Sequence, residues 1–399
     1  MSSSKKPFPR EKPQLAPNRH ENRLPFNRAS IVGRELLYLQ QAFAAGKLSG
    51  NGPHTHACQQ WLRQRLNVAE ALLTHSCTAA LELAALLCEL APGDEVIMPS
   101  FTYVSTASAV ALRGAVPVFV DIRPDTFNID EQAVEANVTP RTRAIFVVHY
   151  AGVCAEMNAL RAIARRRGLL LVEDAAQALG STYCGEPAGA LADMAAFSFH
   201  ETKNVVSGEG GALTLARPEL AQRAYVLWEK GTNRREFHAG RVDEYTWVDL
   251  GSSFPPNEIT AAVLRAQLEQ MDAIVADRLA TWDRYHEAFA DLDARGLLRR
   301  PRVPPECRHN GHMYPVLLPD RTTRDRAILD LRNQGIGVHF HYVPLHSSPA
   351  GLRYGRSAGP MTVTDEIAGR LLRLPLWFGI GDRIIRVIDR LSTLLAAQG

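Results

Sequence analysis

No run of apolar residues in this 399-residue chain approaches the ~18 that a membrane-crossing helix needs. The first residues carry charge without an apolar segment behind it, so no secretory leader is expected. Cysteine is scarce: six residues, at 58, 77, 88, 154, 184 and 307, with no C-x-x-C pair among them. That spacing argues against a zinc site and for reduced thiols in a cytoplasm. Excess charge is also small, at +3 overall. Residues 1–25 hold six basic side chains (Lys5, Lys6, Arg10, Lys12, Arg19, Arg23) and two acids (Glu11, Glu21), so the remainder carries −1. A balance of that kind offers no electrostatic footprint for nucleic acid. Gly208, Gly210 and Gly211 fall short of a dinucleotide fingerprint, because Leu213 stands where its third glycine belongs and no helix follows. There is no internal repeat.

What is present is ordinary in bulk: 46% hydrophobic and 22% charged residues, a soluble globular composition. The length suits two domains. The pattern predicts a basic, proline-rich disordered tail over 1–25, a large domain over 26–257, a long connecting helix over 258–293, and a smaller C-terminal domain over 294–399. In the large domain, short buried strands (72–73, 95–98, 115–121, 144–148, 169–172, 194–199) alternate with helical stretches (27–45, 56–66, 79–90, 155–167). This implies an α/β fold with a mainly parallel sheet between helices. The C-terminal part reads strand (313–318), helix (323–333), strand (336–342), then helices over 363–373 and 381–397.

The chemistry concentrates between Leu169 and Leu215. One apolar run ends on Glu173 and Asp174, a second leads into His200-Glu201-Thr202-Lys203, and the glycine cluster follows. Acid and lysine thus both sit at carboxyl ends of buried strands, where open α/β sheets bind ligands. Pyridoxal phosphate needs an amine to form a Schiff base and an anion to hold its ring nitrogen protonated. Glu173 and Asp174 point to opposite faces of the strand, so only one can serve. Ser76-Cys77-Thr78 opens a helix, either as an ordinary N-cap or as a phosphate site. Tyr103, just past a strand, reads equally as a core aromatic or as a ring for stacking. His339 and His341 share a strand face, and His200, His309, His312 and His346 are also present, but no carboxylate stands at a ligand spacing; no metal is expected.

Glu173-Asp174-Ala175-Ala176-Gln177, Ser198 to Asn204 and Gly208 to Gly211 resemble the DegT-type sugar-nucleotide aminotransferases, a group of fold type I pyridoxal phosphate enzymes. So do Asp121 to Thr126, Lys230 to Arg234 and Leu372 to Leu376, and the likeness runs from about Phe26 to the C-terminus. It is nearest to the transaminases that make TDP-4-amino-4,6-dideoxygalactose for bacterial surface polysaccharide. The resemblance implies Lys203 as the Schiff-base lysine and proton carrier, and Asp174 as the partner of the ring nitrogen. It further implies Cys77, Thr78, Ser198 and a neighbouring subunit's Ser253 near the phosphate, Tyr103 over the ring, and Gln177 at the exocyclic oxygen. Lys230, Asn233, Arg234, His341, Tyr342 and His346 would meet the sugar nucleotide, although the loop charges read as well as surface solvation. The implied partners are a TDP-linked ketosugar, glutamate as donor, and a second copy of the chain in a homodimer with shared sites. The alternatives are another nucleotide-linked ketosugar, or a sugar dehydratase on the same scaffold, a branch with histidine in place of Lys203. A non-enzymatic regulator is disfavoured, since residues 1–25 are too short for a DNA-binding domain. Pro255-Pro256-Asn257 departs from the usual polar run before the long helix.

Overall fold

The computed structural model describes residues 23–397. The predicted tail therefore falls almost wholly outside the described residues. Its end is an exception: Leu24 is 4% exposed, packs in the C-terminal core, and exchanges backbone hydrogen bonds with Gly335 and Gly337. The tail boundary at residue 25 is thus too late, because an apolar side chain there has a slot to fill.

The chain alternates helix and strand through its first half. α1 (Glu35–Ala45) and α2 (Pro53–Leu66) precede β1 (Glu70–Thr74), and α3 (Cys77–Leu87) precedes β2 (Glu95–Pro99). Then come α4 (Val104–Ala111), β3 (Val116–Val120), α5 (Glu131–Ala136), β4 (Thr142–Val148), α6 (Met157–Arg167) and β5 (Leu170–Asp174). The two-residue strands β6 (Thr182–Tyr183) and β7 (Glu186–Pro187) are followed by β8 (Met194–Ser198), β9 (Gly211–Leu215), α7 (Ala221–Trp228) and α8 (Arg234–His238). The main sheet runs β1-β9-β8-β5-β4-β2-β3, with β9 alone reversed and the other pairings parallel. Its strands are continuous apolar runs because helices cover both faces. Successive residues divide between two cores: Leu73, Ile97, Ile145 and Leu171 enter one, while Leu72, Val96, Met98, Phe146 and Val172 enter the other. Alternation then sends Glu173 and Asp174 to opposite sides.

The expected single helix over 258–293 is broken. α9 (Glu258–Glu269) stops at Gln270, α10 (Met271–Ala288) restarts at once, and α11 (Ala290–Ala294) follows Phe289. The halves serve different partners: Ala262 and Ala266 pack on α1, whereas Trp282, Tyr285 and Phe289 enter the C-terminal core. Met271 and Ile274, at the start of α10, still share the core that Leu264 and Leu268 of α9 enter, so the 3.6 period runs on through the break. The helix predicted from residue 27 begins at Glu35, whose carboxylate accepts the N–H groups of Val32 and Gly33 and so fixes the entry turn.

β10 (Cys307–Arg308) pairs with β6, and β11 (Tyr314–Leu317) leads to α12 (Arg321–Asn333). After α13 (Pro349–Tyr354), β12 (Arg356–Ser357) returns to the edge of the main sheet beside β3. The stretch 336–342 forms only isolated bridges, Ile336 to Leu24 and His339 to Arg373. The helix predicted over 363–373 ends early: α14 (Thr362–Arg370) gives way to β13 (Leu371–Leu374), antiparallel to β11. Pro375 favours extended backbone before it, and the strand alternates, with Leu372 and Leu374 in one core and Leu371 in another. α15 (Arg383–Ala396) closes the layer through Ile384, Val387, Leu391 and Leu395. Among the described residues no helix is long and apolar enough to cross a membrane.

Candidate active site

A cavity of about 570 Å³ opens at the carboxyl ends of β5 and β8, between the main sheet and the C-terminal layer. Ser76, Cys77, Thr78, Tyr103, Asp174, Gln177, Ser198 and Lys203 line it, as do His341 and Tyr342. Ten of the residues expected from sequence therefore share one wall system or its rim; five others, treated below, do not.

Asp174 is 5% exposed. Its Oδ2 accepts from Thr106 Oγ1 at 2.7 Å and its Oδ1 from the Ala176 N–H at 3.2 Å. No Lys or Arg nitrogen lies within ion-pair distance of it among the described residues, and burial pushes its carboxyl above the usual range. Lys203 and His149 act on this carboxylate from a distance, but no cation contacts it, so its burial is only partly compensated. Glu173 has no such vacancy. It is fully buried on the opposite side and accepts from the N–H groups of Gly189 (2.8 Å), Leu191 (2.8 Å) and Ala192 (3.0 Å), with His149 Nε2 at 2.9 Å.

Lys203 sits in a turn after β8, its N–H donating to His200 O at 2.9 Å. Burial pushes its ammonium below the usual range, partly opposed by Asp174 and reinforced by Arg373. A larger share of free amine near neutral pH is what a nucleophilic lysine requires.

The first turn of α3 faces the cavity. Ser76 Oγ caps it by accepting from the Ala79 N–H at 3.1 Å, so the N-cap reading holds for Ser76. Thr78 Oγ1 pairs with Ser105 Oγ at 2.7 Å, and burial holds the Cys77 thiol well above its usual pKa. First-turn N–H groups lack intrahelical acceptors and form an anion site. β9 presses against this turn: a Cβ on Gly211 would stand 2.4 Å from Ser76 C and 2.5 Å from Cys77 N. The glycine thus serves close backbone approach behind the helix start. Tyr103 is 59% exposed and is no core aromatic. Gln177 is already committed in part, its Oε1 accepting from the Ala151 N–H and its Nε2 donating to Tyr342 OH.

Five expected residues lie elsewhere. Lys230, Arg234 and Ser253 line a larger cleft, about 1080 Å³, with Lys47, Arg63 and Arg235. Asn233 is spent on the loop itself, accepting from the Thr246 N–H and donating to Glu244 O. Size does not decide between the clefts, because the larger one lacks a buried carboxylate and lysine facing each other. A shallower groove of about 410 Å³ shares Glu209 with the cavity and Ser253 with the cleft, so the three occupy one face. His346 lines neither space: its Nδ1 pairs with Ser100 Oγ at 2.7 Å and its Nε2 lies 3.5 Å from Asp365.

Arg373, Phe26 and Asn27, which also line the cavity, were not expected there, and His312, a further lining residue, was weighed only as a metal ligand. His312 is held at three points. Its Nδ1 meets Asn204 Oδ1 at 3.0 Å, its N–H donates to Asn310 Oδ1 at 3.0 Å, and its carbonyl accepts from Arg278 Nη2 at 2.6 Å. Asn204 Nδ2 donates to Asn310 O, which leaves its Oδ1 as acceptor and puts the imidazole proton on Nδ1. Burial, with Lys203 and Arg278 nearby, pushes His312 well below its usual pKa. The available signal was adjacency: Asn204 follows Lys203 directly. No group of three or more His, Cys, Asp or Glu side chains able to hold a metal exists among the described residues.

The sequence profile of the DegT/DnrJ/EryC1/StrS aminotransferase family matches residues 30–392. Among solved structures, the aminotransferase TlmJ from Streptoalloteichus hindustanus is 32% identical, with TM-score 0.87, covering 94% of this chain and 100% of that one. Spr1654 from Streptococcus pneumoniae, described as a sugar aminotransferase, is 27% identical with TM-score 0.86 in its PMP form, covering 94% and 98%; a PLP form is also known. DesV of S. venezuelae is 32% identical with TM-score 0.83, covering 92% and 99%.

Proposed function

This chain belongs to the DegT/DnrJ/EryC1/StrS aminotransferase family, and from that premise we propose that it is a pyridoxal phosphate-dependent transaminase acting on a TDP-4-keto-6-deoxyhexose. The donor is glutamate and the product TDP-4-amino-4,6-dideoxygalactose, a precursor for surface polysaccharide. One observation carries the reading: Lys203 and a buried Asp174 without a cationic partner open on the same cavity, beside the start of α3. The PLP and PMP forms of Spr1654 support the cofactor.

The residues present fit that group. When bound, pyridoxal phosphate supplies a carbonyl to which an amine adds and a ring that accepts the electron pair released at the amino carbon. Asp174 is the anion that keeps a proton on the ring nitrogen, and Thr106 and Ala176 hold it in place. Lys203 Nζ would hold the cofactor, and its free amine is the base that would carry the proton of the donor's amino carbon. The α3 N–H groups, Cys77, Thr78 and Ser198 cradle the phosphate, joined by Ser253 of a second copy in a homodimer. Tyr103 covers the ring, and the remaining N–H of Gln177 reaches the exocyclic oxygen. Lys230, Arg234 and Asn233 read the nucleotide on the shared face, and His341 and Tyr342 stand near the sugar. For His346 we assign an indirect role, holding the segment after Tyr342 against Ser100.

The test is chemical. Purified enzyme with TDP-4-keto-6-deoxyglucose and glutamate should yield a 4-amino product of galacto configuration by NMR. Amination at another carbon, or dehydration without amine incorporation, would overturn the assignment.

A further inference from the structure

Arg373 stands in the cavity wall without a carboxylate. Its strand β13 sends Leu372 and Leu374 into the C-terminal core, so alternation turns Arg373 toward the cavity it lines. Nε and Nη2 each donate to Phe340 O, at 3.3 and 3.1 Å, and the guanidinium lies 4.8 Å from the centre of the Phe26 ring. No Asp or Glu oxygen approaches within ion-pair distance among the described residues. A guanidinium carries five N–H donors. Three are left after Phe340, two on Nη1 and one on Nη2, which is the side a carboxylate grips with two parallel bonds.

No protein carboxylate takes them: Glu209, the other acid in the cavity lining, lies 3.7 Å from His200 Nε2 and makes no ion pair with Arg373. Lys203, His312, His339 and His341 line the same cavity, and Asp174 is engaged by Thr106 and Ala176. Phe26, Tyr150 and Tyr342 keep the region apolar, where an unanswered cation is costly and an arriving anion is held firmly. We propose that Arg373 is the carboxylate-binding residue of the amino-donor subsite, gripping a carboxylate of the donor amino acid so that its amine is directed toward Lys203. A sugar diphosphate is the poorer occupant. It presents several charges at once, which match the cluster of Lys230, Arg234 and Arg235 in the other cleft. The inference rests on the transaminase reading above.

The test uses cofactor-loaded enzyme in wild-type, R373M and R373K forms. In single-turnover spectra of the glutamate half-reaction, R373M should raise the apparent Kd for glutamate about 10- to 100-fold, the range of a charge-assisted hydrogen-bonded pair. The ketosugar half-reaction, started from the amine-loaded enzyme, should stay within about threefold of wild type. By calorimetry, 2-methylglutamate, which lacks the α-hydrogen, should lose affinity in parallel, whereas butylamine should bind both forms alike. R373K should fall between, because a point charge lacks the fork; should R373M not fold, R373K carries the test. Unchanged glutamate affinity in the variants, or damage confined to the ketosugar half-reaction, overturns the proposal. A wild-type enzyme that shows no glutamate half-reaction at all would instead sink the donor assignment.

Discussion

Adjacent acids on one strand should respond in opposite ways to loss of charge, and the contrast can be measured in cofactor-free protein. Glu173→Gln keeps the shape but turns one carboxylate oxygen into an NH₂ group. Whichever oxygen is lost, a buried backbone N–H then faces a donor: Gly189 on one side, or Leu191 and Ala192 on the other. An unsatisfied buried donor together with the weakening of the remaining bonds is worth about 3–5 kcal/mol. Asp174→Asn should behave differently. The folded carboxyl has its pKa raised above the unfolded value, so its ionised form opposes folding above that pKa, including at pH 7. The amide removes this penalty, and Thr106 can turn its hydroxyl to Thr102 at 2.8 Å. Urea denaturation should therefore show Glu173→Gln strongly destabilised and Asp174→Asn at least as stable as wild type. Single-turnover rates should show the reverse order. Asp174→Asn loses about two to three orders of magnitude, as expected for one removed electrostatic contact worth about 3–4 kcal/mol in the transition state. If Asp174→Asn is destabilised like Glu173→Gln, or turns over at the wild-type rate, the assignment of the two acids is wrong.

Lys203→Ala should retain the fold but show no transamination, and borohydride should no longer fix labelled cofactor to the protein. Gly211→Ala forces a methyl against the Ser76–Cys77 backbone; overpacking of this kind costs about 1–3 kcal/mol, and cofactor affinity by absorbance titration should fall with it. Burial pushes His309 down to about 4, so the unfolded chain takes up a proton near 6.5 that the folded one does not. Stability is whole above 6.5 and is lost as pH falls toward 4, by on the order of 2 kcal/mol at pH 5. His309→Asn should flatten that part of the stability profile.

The main sheet was legible because its strands are short, apolar and spaced by helices, a pattern only a parallel sheet buried on both faces produces. That Lys203 and Asp174 would open on one cavity was legible because Asp174 ends one such strand and Lys203 lies in the turn after another. What escaped has physical causes. The β13 strand reads as helix because Leu371, Leu372 and Leu374 satisfy either period over so few residues, and with the strand went the direction of Arg373. The break at Gln270 carries neither proline nor glycine, so the sequence holds no local signal for it. His312 could be seen as a histidine but not as Asn204's partner, since 108 residues separate them. Lys230, Arg234 and Ser253 belong to a cleft of their own, a fact of tertiary arrangement that loop composition does not encode.

Residues 24–27 cross from the C-terminal layer to the lysine turn. Leu24 pairs with Gly335 and Gly337, Phe26 lies between His339 and Arg373, and Asn27 donates to Glu201 O at 2.8 Å. A stretch of four residues has in this way been made into a piece of pocket architecture. For anyone trimming or tagging the protein, the boundary that matters is sharp: cutting before Arg23 spares the described wall, whereas cutting after Asn27 removes the ring beneath the guanidinium and the tie to the Lys203 turn together.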